Sequence, residues 1–398
     1  MPAYLDNSAT TRQIDEVTDV MTAAMKEEYG NPSSLHKMGV SAEKKVKNAR
    51  ERLAQLVGAA PHDIYFTSGG TESDNTSIFG AVESLKRQGN HVITTGIEHP
   101  AVLECYRRLA EQGMRVTYLG VDRNGFIDPD ELEAAITDDT ILVSVMHVNN
   151  ETGAIQPVHE VGRIVDRSQR ALFHCDAVQS FGKLPISVKD DRIDFLAASA
   201  HKIHGPKGMG LLYVRNGLHI PPYLYGGGQE KGMRSGTENV PGILGFAKAT
   251  EIAGANMQKN MERVTQLRDY LLEGIQSEIP DVLVNSPVGE GLLDDAKSSC
   301  LPYVLNVSFL GTRGEVILHM LEQSEIYVST GSACSSNKKG QSHVLAAMGL
   351  APKEIEGALR FSFSPYNTFE ELDYTLDRLK KAVADNRKMM GIAARMGR

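Results

Sequence analysis

The 398-residue sequence has few cysteines and no long apolar run. Its four cysteines lie far apart and form no CxxC pair, which argues against a disulfide framework and against a zinc ribbon. No window is long and apolar enough to span a membrane. The start, MPAYLDNSATTRQ, has neither the basic nor the apolar region of a signal peptide. A cytoplasmic protein with free thiols is therefore expected.

Two classes of ligand also lack support. Acidic residues outnumber basic ones by 50 to 42, a net charge of −8, which argues against direct nucleic-acid binding. Neither GxGxxG nor GxxxxGK[ST] occurs, so a dinucleotide or ATP is not the expected ligand. The absent glycine fingerprint also argues against a nucleotide-dependent dehydrogenase.

Short apolar runs alternate with helical stretches from about residue 60 to 215. Many of these runs are apolar along their whole length, which is typical of strands that are covered on both faces. They are residues 63–68, 91–96, 115–120, 140–148, 171–176, 194–199 and 210–214. Helical segments such as 41–59 carry one apolar stripe. The pattern predicts an α/β fold with a mostly parallel sheet covered by helices.

The C-terminal part shows a different order of elements. Amphipathic helices are predicted over 261–279 and 369–390, with the strand-like VLNVSFL and EIYVSTG between them. This order indicates a smaller α+β domain. We place the large domain at 16–260 and the small domain at 1–15 and 261–398.

Polar residues collect after the predicted strands, where open α/β sheets bind ligands. Two glycines and Thr71 follow the first strand and start a helix, an arrangement that suits a phosphate or an ordinary turn. His99 and Asn149 follow later strands, where a structural role is as common as a functional one. Asp176 ends a buried strand and needs a partner, because an unpaired buried carboxylate is costly. Gln179 follows three residues later.

The stretch DFLAASAHKIHGPKGMG (194–210) indicates the chemistry most directly. An apolar strand ends at Ser199, and His201 and Lys202 follow at the edge of the sheet that binds ligands. A desolvated lysine there has a lowered pKa and can act as a nucleophile. A lysine, a strand-end aspartate, a histidine and a phosphate cup are together the set that pyridoxal phosphate requires.

Cys334 lies in VSTGSACSSNKKGQS (328–342), among small, polar and basic residues. A loop of this length without secondary structure is usually functional in a compact domain. Cys105 and Cys175 lie in apolar stretches and are expected to be buried and inert. Cys300 is expected at the entrance of a strand. Cys334 is therefore the expected reactive thiol.

The quoted stretches occur in the order and spacing of a known family. The sequence resembles the cysteine desulfurases, pyridoxal phosphate enzymes of the class V aminotransferase group with the fold type I architecture. The resemblance covers nearly the whole chain. It rests on YLDNSATT, YGNPSSLH, FTSGGTESDN, EHPAV, NNETG, HCDAVQ, SAHKIHGPKGMG, GGGQEKGMRSGTEN, STGSACSS and ALRFS.

The resemblance implies roles around the cofactor. Lys202 would bind pyridoxal phosphate covalently and shuttle protons, and Asp176 would pair with the ring nitrogen. Gln179 would hydrogen-bond the phenolic oxygen, and His99 would stack on the ring and assist acid–base steps. The phosphate would be bound by Gly70, Thr71, Ser199, His201 and, from a second subunit of a homodimer, Thr237. Many relatives carry alanine at position 70, a difference expected to have little consequence because the backbone makes the contact.

The resemblance also implies the reaction. Asn149 would bind cofactor and substrate, and Arg360 would hold the substrate carboxylate as a fork, the alternative being an ordinary salt bridge. L-cysteine would become L-alanine, and its sulfur would form a persulfide on Cys334. Lys338 and Lys339, or a histidine of the site, are candidates to favour the thiolate. No bound metal is expected, and Cys334 would contact a cluster or metal only transiently.

The expected partners follow from the same resemblance. The loop length is similar to that of the longer-loop group, which passes sulfur directly to acceptors such as an iron–sulfur scaffold protein, a tRNA-thiolation enzyme or an enzyme of thio-cofactor synthesis. A selenocysteine lyase, another class V enzyme such as an aminotransferase, and a non-enzymatic sulfur carrier stay open as alternatives. Transamination needs no loop cysteine, and a carrier would not need Lys202, Asp176 and His99.

Overall fold

The structure is a computed structural model that describes residues 2–288, 300–330 and 341–396. Its strands are β1 (Ala3–Tyr4), β2 (Ile64–Thr67), β3 (His91–Thr95), β4 (Arg115–Leu119), β5 (Thr140–Ser144), β6 (Leu172–Asp176), β7 (Phe195–Ser199), β8 (Gly210–Val214), β9 (Val282–Val284), β10 (Val304–Phe309), β11 (Ile326–Tyr327) and β12 (Ala358–Ser362).

The helices lie between and after these strands. They are α1 (Asp15–Glu27), α2 (Lys37–Leu56), α3 (Gly70–Leu85), α4 (Pro100–Glu111), α5 (Pro129–Ala135), α6 (Val158–Arg167), α7 (Val240–Ala255), α8 (Met257–Glu278), α9 (Gly314–Glu322), α10 (His343–Ala347), α11 (Pro352–Glu356) and α12 (Phe369–Met396). Short 3-10 helices occur at Pro61–Asp63, Ala200–Lys202 and Glu230–Gly232.

The largest sheet has seven strands in the order β2-β8-β7-β6-β5-β3-β4 within the described chain. Its neighbours from β7 through β4 pair in parallel, and β8 is antiparallel to both β7 and β2. Each of the seven predicted apolar runs contains one of these strands. The prediction of a mostly parallel sheet is confirmed.

Helices cover this sheet on both faces, which explains why its central strands are apolar throughout. Leu142 joins a core with residues of α3 and α4, whereas the next residue, Val143, joins a core with residues of α2, α6 and α7. Every residue of β5, β6 and β7 is buried. Neighbouring side chains of one strand thus enter opposite cores.

A second core contains residues from the C-terminal part together with Ala3 and Leu5. Here β12, β10 and β9 form an antiparallel sheet, and β1 pairs in parallel with β11. Residues of α8, α9 and α12 contribute to this core. We propose that the change from one core to the other, close to residue 260, is the domain boundary.

A helix that is both long and apolar enough to cross a bilayer does not occur in the described part of the chain.

Candidate active site

A cavity of about 220 Å³ lies where the large sheet meets the C-terminal unit. The predicted site residues that line it are Gly70, Thr71, His99, Asp176, Gln179, Ser199, His201, Lys202 and Arg360. The other lining residues, which the sequence did not single out, are Ser8, Ala9, Asp74, Met146, Asn150 and Val178. Residues distant in sequence thus converge on one cavity at the carboxyl ends of β2, β3, β5, β6 and β7.

Lys202 enters this cavity from the 3-10 helix that follows β7. Its Nζ donates hydrogen bonds to the carbonyls of Ser8 and Ala9, the latter at 2.8 Å. Both carbonyls belong to YLDNSATT, a stretch for which the sequence suggested no role. The N-terminal segment therefore orients the lysine amine.

Asp176 is the last residue of β6 and is 5% exposed. Burial raises the pKa of Asp176 to about 6, while the N–H of Val178, a hydrogen bond of 2.9 Å to Oδ1, and the charge of Lys202 oppose this shift. A cation placed against this carboxylate would offset part of the cost of its burial.

Two further acids, Asp74 and Glu98, are buried beside Asp176. Burial raises the pKa of Glu98 to about 8 and that of Asp74 well above its ordinary value, and the repulsion from Asp176 adds to both. Oδ1 of Asp74 lies 3.3 Å from Nε2 of His174, whose pKa burial lowers to about 3. Burial and the neighbouring carboxylates therefore favour the protonated forms of Asp74 and Glu98, whereas the N–H of Val178 and the charge of Lys202 favour ionisation of Asp176.

His99 caps the N-terminus of α4, where its Nδ1 accepts the N–H of Ala101 at 3.1 Å. Burial, and then the charges of Lys202 and His343, lower the pKa of His99 to about 4. The ring is therefore neutral at pH 7 and carries its proton on Nε2. His201 has the same lowered value of about 4, again mainly through burial and then Lys202, so its ring is neutral as well.

The start of α3 forms an uncapped helix N-terminus at the cavity. Gly69 stands at the cap position without a side-chain hydrogen bond, and Gly70 and Thr71 of the first turn line the cavity. Uncapped N–H groups and the helix dipole favour a phosphate. A Cβ on Gly70 would lie only 2.6 Å from Cγ2 of Val178, so an alanine here would require Val178 to shift. The expectation that the glycine has little consequence for the phosphate contact stays a prediction.

The structure places Asn149 differently from the prediction. Asn149 is fully buried and does not line the cavity. Its Nδ2 donates to the carbonyl of Ile97 at 3.0 Å, and its Oδ1 accepts the N–H groups of Glu151 and Thr152. These contacts use its amide to build the turn, and it is the next residue, Asn150, that reaches the cavity.

Arg360 lines the cavity and also makes the salt bridge that the sequence left open as its alternative role. Its NH2 lies 2.7 Å from Oδ1 of Asp6, and its NH1 donates to the carbonyl of Asn150 at 3.0 Å. Its Nε is buried without a hydrogen-bond partner among the described residues. The guanidinium therefore has a fixed orientation and keeps an N–H group that can donate a further hydrogen bond.

Gln179 likewise retains an unused polar atom. Its Nε2 donates to the carbonyl of Ser8 at 3.0 Å, whereas its Oε1 is buried without a partner in the described parts of the chain. Buried polar atoms in native proteins nearly always have a partner. Together with the amine of Lys202, the carboxylate of Asp176 and the uncapped helix start, these atoms fit the polar groups of pyridoxal phosphate.

The other predicted site residues either do not line the cavity or are not among the described residues. Thr237 is exposed and does not line the cavity of its own chain. Cys334, Lys338 and Lys339 lie outside the described residues.

The other three thiols are buried. Burial raises the pKa of Cys105 and of Cys300 to about 12, and that of Cys175 well above its ordinary value. They are therefore inert at neutral pH. No cluster of three or more His, Cys, Asp or Glu side chains that could hold a metal occurs among the described residues.

Comparison with known proteins gives one consistent result. The family model for aminotransferase class V matches residues 3–375. Cysteine desulfurase IscS of Dictyoglomus turgidum is 45% identical over 380 residues, which cover 96% of this chain and 94% of the relative. Cysteine desulfurase IscS of Clostridium botulinum is also 45% identical, over 97% of this chain and 95% of its own length.

A solved NifS-like protein has the same fold. It superposes with a TM-score of 0.89 at 41% identity and covers 96% of this chain and 100% of its own. The chain therefore belongs to the class V aminotransferase family and, within it, to the pyridoxal phosphate-dependent cysteine desulfurases.

Proposed function

We propose that Lys202, Asp176, His99 and Arg360 form the active site in which L-cysteine is converted to L-alanine, and that Cys334 carries the sulfur as a persulfide. The observation that supports this most directly is the convergence of the first three side chains with Arg360 in one cavity. An amine, an ionised acid, a neutral imidazole and a guanidinium are the groups that an amino-acid substrate and the cofactor require.

Pyridoxal phosphate, when bound, supplies an electron sink for the bonds around the substrate α-carbon. Asp176 would pair with its ring nitrogen, and Lys202 would be its covalent attachment. Lys202 would also move the proton to and from the α-carbon. Gly70, Thr71, Ser199 and His201 would hold the phosphate, and Gln179 the phenolic oxygen.

His99 would lie on the ring face of the cofactor as a neutral imidazole. Because Nδ1 is engaged by the N–H of Ala101, the proton on Nε2 is the one available in the cavity. The charge of Lys202 and the burial of the ring keep it neutral. His99 can therefore donate a hydrogen bond without adding a positive charge.

Arg360 would bind the substrate carboxylate, with Asn150 beside it in place of the predicted Asn149. The salt bridge to Asp6 orients the guanidinium, and the unpartnered Nε shows that its hydrogen-bonding capacity is not exhausted. Arginine donates two parallel hydrogen bonds to a carboxylate, which lysine does not. Arg360→Lys is therefore expected to raise KM for L-cysteine.

The sulfur-transfer step exchanges one bond for another. The thiolate of Cys334 attacks the sulfur of L-cysteine, an S–S bond forms, and the bond between Cβ and sulfur breaks. The electron pair of the broken bond stays on the carbon, which takes up a proton. L-cysteine and the Cys334 thiol thus yield L-alanine and a persulfide, with no external oxidant or reductant.

Replacing Cys334 tests this assignment. The Cys334→Ala holoenzyme should keep the absorbance of bound cofactor but produce no persulfide, and sulfide release from L-cysteine should be lost. Unchanged sulfide production by this variant would exclude Cys334 as the carrier. Formation of a keto acid instead of alanine would support an aminotransferase.

A homodimer is part of the proposal. Large apolar side chains are exposed at Met25, Tyr29, Leu35, Met38 and Val40, with Leu35 98% exposed. These residues lie close together in sequence, from the end of α1 to the start of α2, and exposed apolar side chains in such numbers favour an interaction surface there. A second copy would cover it and would bring its Thr237 to the phosphate. A monomer by light scattering that still turns over L-cysteine would contradict this assignment.

The sulfur acceptor is proposed to be an iron–sulfur scaffold protein, a tRNA-thiolation enzyme or an enzyme of thio-cofactor synthesis. The relatives named cysteine desulfurase IscS support the general class. Following labelled sulfur from L-cysteine into the proteins of a cell extract would identify the acceptor. A cytoplasmic location stays a prediction.

A further inference from the structure

Ser329 and Ser342 are both held at the same part of the cavity wall. Ser329 and Arg360 exchange two backbone hydrogen bonds, of 3.1 and 2.7 Å. At the other end, the hydroxyl of Ser342 donates to Oε2 of Glu151 at 2.5 Å. Arg360 also donates to the carbonyl of Asn150, which directly precedes Glu151. Ser329 and Ser342 therefore both lie beside the proposed substrate-carboxylate site.

Glu151 is presented by a turn that its neighbours hold rigidly. Asn149 accepts the N–H of Glu151 at 2.9 Å and that of Thr152 at 3.0 Å, and the N–H of Gly153 closes on the carbonyl of Asn149 at 3.0 Å. Glu151 itself is 3% exposed. Its hydrogen bond from Ser342 is thus shielded from water, and loss of that bond would leave a buried carboxyl short of a partner.

Ser342 is held as firmly on its own side. Its Oγ accepts the N–H of Leu345 at 3.1 Å and so caps α10. The neighbouring His343 donates from Nε2 to the carbonyl of Glu98 at 2.9 Å. Val344 and Leu345 pack in one core with Ile97 and Met146. The short helix α10 is therefore fixed to the two loops that carry His99 and Met146 into the cavity.

We propose that Glu151 and Ser342 are positioning residues for sulfur transfer to Cys334. This inference rests on the proposed role of Cys334. Attack on sulfur needs the thiol at a defined place relative to the substrate, and small misplacements cost large factors in rate. The contact fixes Ser342, eight positions after Cys334 in sequence, to the turn that presents Asn150. Glu151 does not line the cavity, so the pair acts through position and not through contact with the reacting atoms.

The test separates substrate binding from sulfur transfer in the holoenzyme. Glu151→Ala, Ser342→Ala and the double variant are mixed with L-cysteine. One measurement follows the change in cofactor absorbance, and a second follows the first-turnover persulfide on Cys334 by quenching, thiol labelling and mass spectrometry. Each single variant should form the persulfide between about tenfold and a hundredfold more slowly than the wild type. The double variant should be no slower than the singles, and the absorbance change should keep its rate and its dependence on L-cysteine concentration.

Conservative variants and a remote pair serve as controls. Glu151→Gln keeps an acceptor oxygen and Ser342→Thr keeps the hydroxyl, so both should restore the persulfide rate. Ser187→Ala removes another serine–carboxylate bond, of 2.6 Å to Asp190, away from the cavity and should change neither measurement. Ser342→Asp keeps a good cap but places a second carboxylate against Glu151, so it should slow the persulfide step while α10 stays intact.

Three results would overturn the inference. They are a wild-type persulfide rate in both alanine variants, an equal loss in the absorbance change and in the persulfide rate, and losses that add up in the double variant. Failure of the proposed function would be seen differently, because the wild-type holoenzyme itself would then release sulfide without a persulfide on Cys334.

Discussion

The lowered pKa of His99 predicts a pH-dependent loss of stability that a single substitution should remove. In the folded protein, burial and the charge of Lys202 lower the pKa of this ring to about 4 from an ordinary value of 6.5. The unfolded chain therefore binds a proton between these two values that the folded chain does not bind. The free energy of unfolding must fall as pH falls through 6.5, and the loss is complete below about 4.

The size of the effect follows from the two pKa values. At pH 5 the unfolded ring is almost fully protonated and the folded ring is mostly neutral, which corresponds to a loss of about 2 kcal/mol relative to pH 8. His99→Asn removes the titrating group, and asparagine is itself a favourable N-cap for α4. On going from pH 8 to pH 5, the free energy of unfolding of the wild type should therefore fall by about 2 kcal/mol more than that of the variant.

Urea denaturation of the cofactor-free protein measures this difference at the two pH values. The chain has no tryptophan, so circular dichroism is the suitable signal. In a Lys202→Ala background the pH-dependent difference should be smaller, because the second cause of the shift is gone. An identical difference between wild type and His99→Asn at pH 8 and pH 5 would show that the ring is not held neutral by the fold.

Three further outcomes are expected. Gly70→Ala should weaken cofactor binding, measured by titration of the cofactor-free protein, and Val178→Ala should restore it in the double variant, because the clash lies between these two side chains. Glu230→Ala should lower the free energy of unfolding by about 3–5 kcal/mol in urea, since it strands the largely buried Arg50, which donates to both of its oxygens at 2.7 Å. A thiol reagent at neutral pH should modify one cysteine per native chain and none in Cys334→Ala; rapid labelling of a further thiol would contradict the burial of the other three.

The sheet could be predicted from the sequence because its strands are covered on both faces. A strand with helices above and below must be apolar at every position, and such runs are visible without any knowledge of their partners. The shortest pairing was harder to predict. EIYVSTG contributes only Ile326–Tyr327 to a strand, because its partner β1 is equally short.

Parts of the site could not be predicted because they depend on contacts between distant segments. The neighbouring asparagines in NNETG have the same chemistry. Only the geometry of the turn decides that the side chain of Asn149 is used within the turn and that Asn150 lines the cavity. Asp74 looks like an ordinary polar residue of a helix, although it is buried against His174. The close approach of Val178 to Gly70 joins the residues that follow two different strands. Sequence spacing carries no signal for any of these contacts.

The pairing of the first residues with strands made near the end has a consequence for biosynthesis. Asn7 donates to the carbonyl of Ser362, 355 positions later, and the next carbonyls along, of Ser8 and Ala9, orient Lys202. During translation the large sheet can form while these early residues still lack their partners, since long-range pairings form late. A nascent chain that has not yet reached β12 also lacks Arg360. The ribosome must therefore have delivered almost the whole polypeptide before the cavity acquires its final geometry, and cofactor loading belongs to the last steps of maturation.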